Sequence, residues 1–196
     1  MPIAPDLRDL SNAAVRLAPL RPEDSAELFR ALDDERVWAG GWSGGPAARP
    51  ATAEGMRAVV DRLNEAGFAF AVRDAGSGAL VGTASLLAVD LANERCMLGG
   101  AAYSPAVWGT PVNAGTNLAL LGHAFDDCGL GRVEFQTDVL NGPMCGALEK
   151  MGATREGVLR RHKKRADGTF RDSVVFSILA DDWPTVRERL ERRVAG

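Results

Sequence analysis

Tyr103-Ser104-Pro105-Ala106-Val107-Trp108-Gly109-Thr110-Pro111-Val112-Asn113, with the residues that follow to Met151, decides how this chain folds. It reads as strand end, turn, helix, strand, asparagine, helix. Gly99-Gly100-Ala101-Ala102 runs into Tyr103, the turn spans Trp108 to Asn113, and a helix is predicted from about Ala114. Ala114, Leu118, Leu121 and Phe125 recur at helical spacing, which makes one apolar stripe facing a sheet, and Gly129 supplies a C-cap. From Arg132 to Asp138 the pattern alternates, with Val133, Phe135 and Thr137 on one face and Arg132, Glu134, Gln136 and Asp138 on the other. Asn141 precedes a short helix whose first turn suits Pro143. The first amides of a helix lack intrahelical partners and lie at the positive end of its dipole. The 109–114 turn is therefore a candidate anion cradle that needs no lysine.

Working outward, Val15 to Leu20 is a predicted strand, and a helix opens at Pro22 with Glu23 and Asp24 in its first turn and runs to about Asp34. The stretch Gly40 to Pro50 is too rich in glycine and proline for regular structure and is expected to be a mobile loop. A helix from Thr52 to Ala66 precedes a hairpin with Phe68, Phe70 and Val72 alternating. Turn residues Asp74 to Gly78 lead to a strand over Leu80 to Val89, and a third strand covers Glu94 to Tyr103. The Gly99-Gly100 pair within it predicts a bulge or a close backbone approach. Val174 to Leu179 is apolar on both faces and reads as an interior strand, and Asp181 caps a last helix through Arg192. No internal repeat or second domain is visible.

With 196 residues, 46% of them hydrophobic, the chain suits one domain covering 1–196. A net charge of -3 argues against general nucleic-acid binding. Cys96, Cys128 and Cys145 are odd in number and lack metal-like spacing, which fits a reduced, cytoplasmic protein with no bound metal. Met1 to Asn12 has no apolar core of a signal peptide, and no segment reaches the roughly 20 apolar residues that span a bilayer.

At several places, taken in order, the chain resembles the GCN5-related N-acyltransferase (GNAT) superfamily, and within it the ribosomal-protein N-terminal acetyltransferases. The matching residues are Arg16 to Asp24, Tyr103 to Asn113, His123 to Val133, Thr137-Asp138 with Asn141, Glu149 to Ala153, Arg155 to Arg160, Arg171 to Ser177 and Asp182-Trp183-Pro184. No single element is specific; their order and spacing are. The resemblance implies an α/β (α+β) domain, a twisted and mostly antiparallel sheet of about seven strands with splayed central strands, flanked by helices. It implies transfer of an acyl group from acetyl-CoA, or another acyl-CoA, to an amine acceptor, either a protein N-terminus or a small molecule. Flavin and membrane have no place in it, and a homodimer is implied by the likeness alone.

Such a reaction needs an anchored, polarised donor, an uncharged amine and a proton for the departing thiolate. By the resemblance, Trp108, Gly109, Thr110, Pro111, Val112, Asn113 and Ala114 hold the pyrophosphate, Ala101, Ala102 and Tyr103 offer backbone to the pantetheine, and Asn141 stands beside that arm. Asn141 also reads simply as a loop residue before a helix. Tyr103, the only tyrosine, either protonates the thiolate or packs against the turn; Glu134 or Asp138 is a candidate base. His123 and His162 read as solvated, and Cys145 as a bystander because the family transfers directly. The run Arg160 to Arg165 is a solvated strand arm or a contact for an acidic acceptor or a nucleotide phosphate. Pro111, Gly115, Met97, Met144-Cys145 and the small Gly100-Ala101-Ala102 depart from the family pattern. They leave open a donor larger than acetyl, or a catalytically weak acyl-CoA-binding module.

Overall fold

Eight strands form one sheet in the order β1-β2-β3-β4-β5-β6-β8-β7. The computed structural model describes residues 1–196. β1 (Leu10–Ser11), β2 (Val15–Pro19), β3 (Gly67–Asp74), β4 (Leu80–Asp90) and β5 (Arg95–Tyr103) are antiparallel neighbours. β6 (Arg132–Asp138) meets β5 in parallel, and β8 (Phe170–Leu179) lies between β6 and the edge strand β7 (Thr154–Lys164), antiparallel to both. The strand beyond the expected seven is β1, a two-residue pairing too short to leave a periodic signal. β8 is interior, as its two apolar faces require.

Six α-helices cover the sheet: α1 (Ser25–Leu32), α2 (Glu35–Ala39), α3 (Ala53–Ala66), α4 (Val112–Gly122), α5 (Gly142–Met151) and α6 (Trp183–Ala195). One face buries Phe70, Leu86, Leu98, Val133, Phe135 and Phe176 against residues of α4, α5 and α6; the other buries Ala69, Ala71 and Ala102 against α1, α2 and α3. The helix predicted from Pro22 to about Asp34 is a 3-10 turn, Pro22–Asp24, continued by α1 to Leu32, and a break separates it from α2. Asp34 explains the break, because its carboxylate accepts the Arg36 amide at 2.9 Å and so starts a new helix. α4 begins two residues before the predicted start and continues as a π-helical turn, His123–Asp127, until Gly129 (φ 66°) ends it.

α4 carries more than one buried stripe. Gly115, Thr116 and Asn117 are buried along with Ala114 and Leu121, and the chain's first residues cover the Gly115 side. Asn12 donates to the Gly115 carbonyl at 2.8 Å, and a Cβ at Gly115 would stand 2.8 Å from that of Ala14. The glycine that departs from the family pattern is thus required by this close approach.

The Gly40–Pro50 stretch holds two short 3-10 turns, Trp42–Gly44 and Pro46–Ala48, rather than irregular chain alone. Trp42 fixes it, packing edge-on to Trp38 with ring centroids 4.8 Å apart and donating its indole N–H to the Gly100 carbonyl at 3.0 Å. Gly100 itself sits at φ 62° in an irregularity of the β4–β5 register. Before it, Cys96 and Leu98 face the α4 side; after it, Ala101 and Tyr103 do, and Ala102 faces α3. One inserted residue has exchanged the faces, which is the bulge that the glycine pair predicts.

Candidate active site

β5 and β6 part after three pairings. Arg95, Cys96 and Met97 oppose Arg132, Val133 and Glu134, and no pairing follows, although β5 continues to Tyr103 and β6 to Asp138. The edge of β5 from Leu98 onward therefore faces a V-shaped opening, with Ala101, Ala102 and Tyr103 along one arm. Two of its carbonyls are taken, Gly100 by Trp42 and Tyr103 by the Trp108 indole at 3.0 Å.

At the head of that arm the chain turns into α4. Gly109 adopts φ 78°, and the Thr110 hydroxyl donates to the Val107 carbonyl at 2.7 Å. Pro111 occupies the N-cap in helical conformation, and the first amide to close a helical turn is Gly115, onto Pro111 at 2.8 Å. The amides of Gly109, Asn113 and Ala114 consequently have no protein acceptor. Trp108 is half-exposed beside them, with the Arg36 guanidinium 5.7 Å from its ring centroid. A crevice lined by Asn113, Ala114, Asn117, Met144, Ala147 and Arg193 continues between α4, α5 and α6. Sequence pattern did not single out Arg36 or Arg193, since only tertiary packing brings α2 and α6 here.

Tyr103 points its phenol toward α4. Burial pushes it up to about 12, with the Thr116 hydroxyl partly offsetting the shift. Asn141 uses both ends of its amide: Oδ1 accepts the Met144 amide at 3.2 Å as the N-cap of α5, and Nδ2 donates to the Gly40 carbonyl at 3.0 Å. The reading as a helix-start asparagine is therefore realised, and the same side chain pins the 40–48 segment to the end of β6.

On the other face of the opening, that segment forms a bridge. It is tied to β5 through Trp42, to Asn141 through Gly40, and to the β7–β8 turn through the Ala166 amide on Gly44 at 3.2 Å. Beneath it lies the polar face of β6. Glu134 accepts from Gln136 at 2.6 Å and from Arg132 at 3.2 Å, and stands where the strands part. Asp138 is buried, accepts from Arg165 at 2.5 Å and from the Leu140 amide at 3.0 Å. Two buried polar atoms here have no partner, Ser85 Oγ under the Gly100 bulge and Gln136 Oε1.

Neither histidine is simply solvated. His123 is buried, with Nδ1 2.9 Å from Asp127 Oδ2 and Nε2 accepting the Asp6 amide at 3.3 Å; it fastens the N-terminal segment about 15 Å along α4 from the cradle. His162 meets the Ser173 hydroxyl at 3.0 Å. Cys145 is partly buried and its thiol is raised, by burial first and by Glu149 second, the opposite of what a nucleophilic cysteine needs.

The family model of the acetyltransferase (GNAT) domain matches residues 14–154. A GCN5-related N-acetyltransferase from Brucella melitensis superposes with a TM-score of 0.89 at 27% identity, over 98% of this chain and 88% of that one. A candidate acetyltransferase from T. thermophilus gives 0.87 at 33% identity, over 97% and 99%. Mycobacterium smegmatis RimJ in complex with CoA-disulfide gives 0.80 at 20% identity, over 97% of each chain, a likeness of fold. No curated protein sequence matches. The chain belongs to the GNAT family, and it is an N-acetyltransferase of that family.

Proposed function

We propose that this enzyme moves an acyl group, acetyl before any other, from acyl-CoA to a primary amine by direct attack within a ternary complex. The observation that carries this reading is the V between β5 and β6 with three unpartnered amides at its head, Gly109, Asn113 and Ala114. Those amides, at the positive end of α4, receive the pyrophosphate, with Trp108, Thr110, Pro111 and Val112 shaping the turn around them. The exposed edge of Ala101 to Tyr103 takes the pantetheine, and Asn141 lies across the opening from it.

In the step itself the amine lone pair attacks the thioester carbonyl, the C–N bond forms, the C–S bond breaks and the thiolate leaves. The amine must first lose a proton, and we assign that to Glu134, acting through water. Of the two candidate carboxylates it stands at the parting of the strands, where it shares Arg132 with Glu156, whereas Asp138 is buried and has Arg165 as its partner. Tyr103, neutral throughout the physiological range, offers a hydrogen bond on the donor side.

No helix is long and apolar enough to cross a membrane. Three free cysteines, two of them buried, agree with a reducing compartment, and we place the enzyme in the cytoplasm, as a homodimer by family likeness. Native mass spectrometry of the purified protein tests the donor assignment. One CoA species per chain is expected, and its acyl length decides between acetyl and the longer donor that Gly100, Ala101 and Ala102 leave room for. Failure to retain or take up CoA of any acyl length would overturn the reading.

A further inference from the structure

From Cys96 to Glu149 the chain has no lysine and a single arginine, Arg132. Both arms of the V, the turn at its head and the first turns of α4 and α5 lie within that stretch, and Arg132 is taken by Glu134 and Glu156. The open amides at the start of α4 supply the equivalent of about half a positive charge. A diphosphate with a further phosphate monoester brings several negative charges. Most of that charge is left to counter-ions, or to a side chain from elsewhere in the fold.

α6 brings such a side chain, because it runs back along α4. Trp183 at its start stacks on Phe125 with ring centroids 5.6 Å apart and donates to Asp126 at 2.9 Å. Further along, Leu190 and Asn117 line the crevice together, and in the last turn Arg193 lines it beside Asn113 and Ala114. Trp183 to Arg193 spans about 15 Å of helix and Asn113 to Phe125 about 18 Å, so the end of α6 arrives at the start of α4.

The other arginines nearby are engaged. Arg187 bonds Asp126 and Glu191 at 3.2 and 2.9 Å, Arg192 reaches Glu188 at 3.9 Å, and Arg189 lies against Gly152. Arg36 stands over Trp108 but is held by both oxygens of Asp34, at 2.9 and 2.7 Å. Arg193 is exposed and forms no ion pair. A cation in a last turn also offsets the helix dipole, yet Arg192 serves that end equally and lies outside the crevice.

We propose that Arg193 binds a phosphate group of the acyl-CoA donor, closing the donor site from a helix beyond the residues 14–154 that carry the family pattern. The proposal rests on the acyltransferase reading and adds to it a residue that the cradle itself lacks. CoA, dephospho-CoA and pantetheine are titrated by calorimetry into the parent, Arg193→Gln, Arg193→Lys and Arg192→Gln. Arg193→Gln should bind CoA at least about tenfold more weakly, the scale of one charge-assisted hydrogen bond. Arg193→Lys should recover most of that loss, since a point charge also serves a phosphate. Pantetheine, which has no phosphate, should bind all four proteins alike, and Arg192→Gln should match the parent with every ligand. Dephospho-CoA shows which phosphate is held: equal binding by parent and Arg193→Gln assigns the 3′-phosphate, and the same loss as with CoA assigns the diphosphate. In turnover Arg193→Gln should raise the KM for acetyl-CoA and leave kcat unchanged.

CoA affinity in Arg193→Gln within about threefold of the parent, less than one such bond is worth, overturns the proposal and leaves the acyltransferase reading in place. An equal loss for pantetheine, or an equal loss in Arg192→Gln, also overturns it, by making the effect one of packing or of general charge. A parent that binds no CoA would remove both the proposal and the reading on which it rests.

Discussion

Tyr103 shows how a magnitude chooses between roles. A phenol at about 12 that gave its proton fully to a thiolate whose own value is about 8.5 would go uphill by about 5 kcal/mol. A hydrogen bond to the leaving sulfur is the cheaper service. Tyr103→Phe should therefore lower kcat by between about two- and tenfold, the worth of one net hydrogen bond. A loss beyond about a hundredfold would make it the general acid, and no loss would make it packing alone. The two carboxylates separate in the same way. Glu134→Gln should reduce kcat/KM by about a hundredfold or more and remove the acidic limb of its pH profile. Asp138→Asn strips the partner from a buried arginine pair, so it should cost about 3 kcal/mol of stability, near 6–12 °C in Tm, with a smaller effect on kcat. If the Asp138 variant instead keeps its Tm and loses the acidic limb, the assignment is reversed.

Among the elements, β6 was legible to the residue, because seven alternating positions leave no second register. The turn before α4 was legible from its glycine, and the bulge from the Gly99-Gly100 pair. A Cβ added at Gly109 would meet nothing within 4 Å, so bulk is not what a substitution there would change; its positive φ and the nearby amides are. Asn and Asp tolerate that backbone alike and differ in charge. Gly109→Asn should bind CoA close to the parent, and Gly109→Asp at least about tenfold more weakly, as a carboxylate competes for the phosphate's place. Equal affinities by calorimetry would take the turn out of the donor site. Gly100→Ala would force φ 62° on alanine and bring its Cβ within 3.1 Å of Leu63 and Ser85. About 1–2 kcal/mol is expected from the backbone alone, some 2–8 °C in Tm.

For the whole molecule, what the sequence withheld is what depends on distant segments meeting. β1, the covering of α4 by Asn12 and Ala14, and the burial of His123 all come from the N-terminal segment, whose short contacts carry no period. The bridge of residues 40–48 looked irregular because its order comes from Trp42, Asn141 and Ala166 rather than from its own backbone pattern. The stretch proposed for the donor folds as read because it is local: one strand end, one turn and one helix start, contiguous in the chain. The polar face beneath the bridge is assembled from separate stretches. The central claim joins the two sides in one reaction. Its most direct measurement follows free thiol from acetyl-CoA and acetylated amine together, over a panel of peptide N-termini, polyamines and aminoglycosides. Thiol and acetylated product should appear in equal amounts, only when an amine is present, and as fast in Cys145→Ala as in the parent. Saturable CoA binding with no thiol released for any amine or acyl length would contradict the account and leave a protein that binds acyl-CoA without using it.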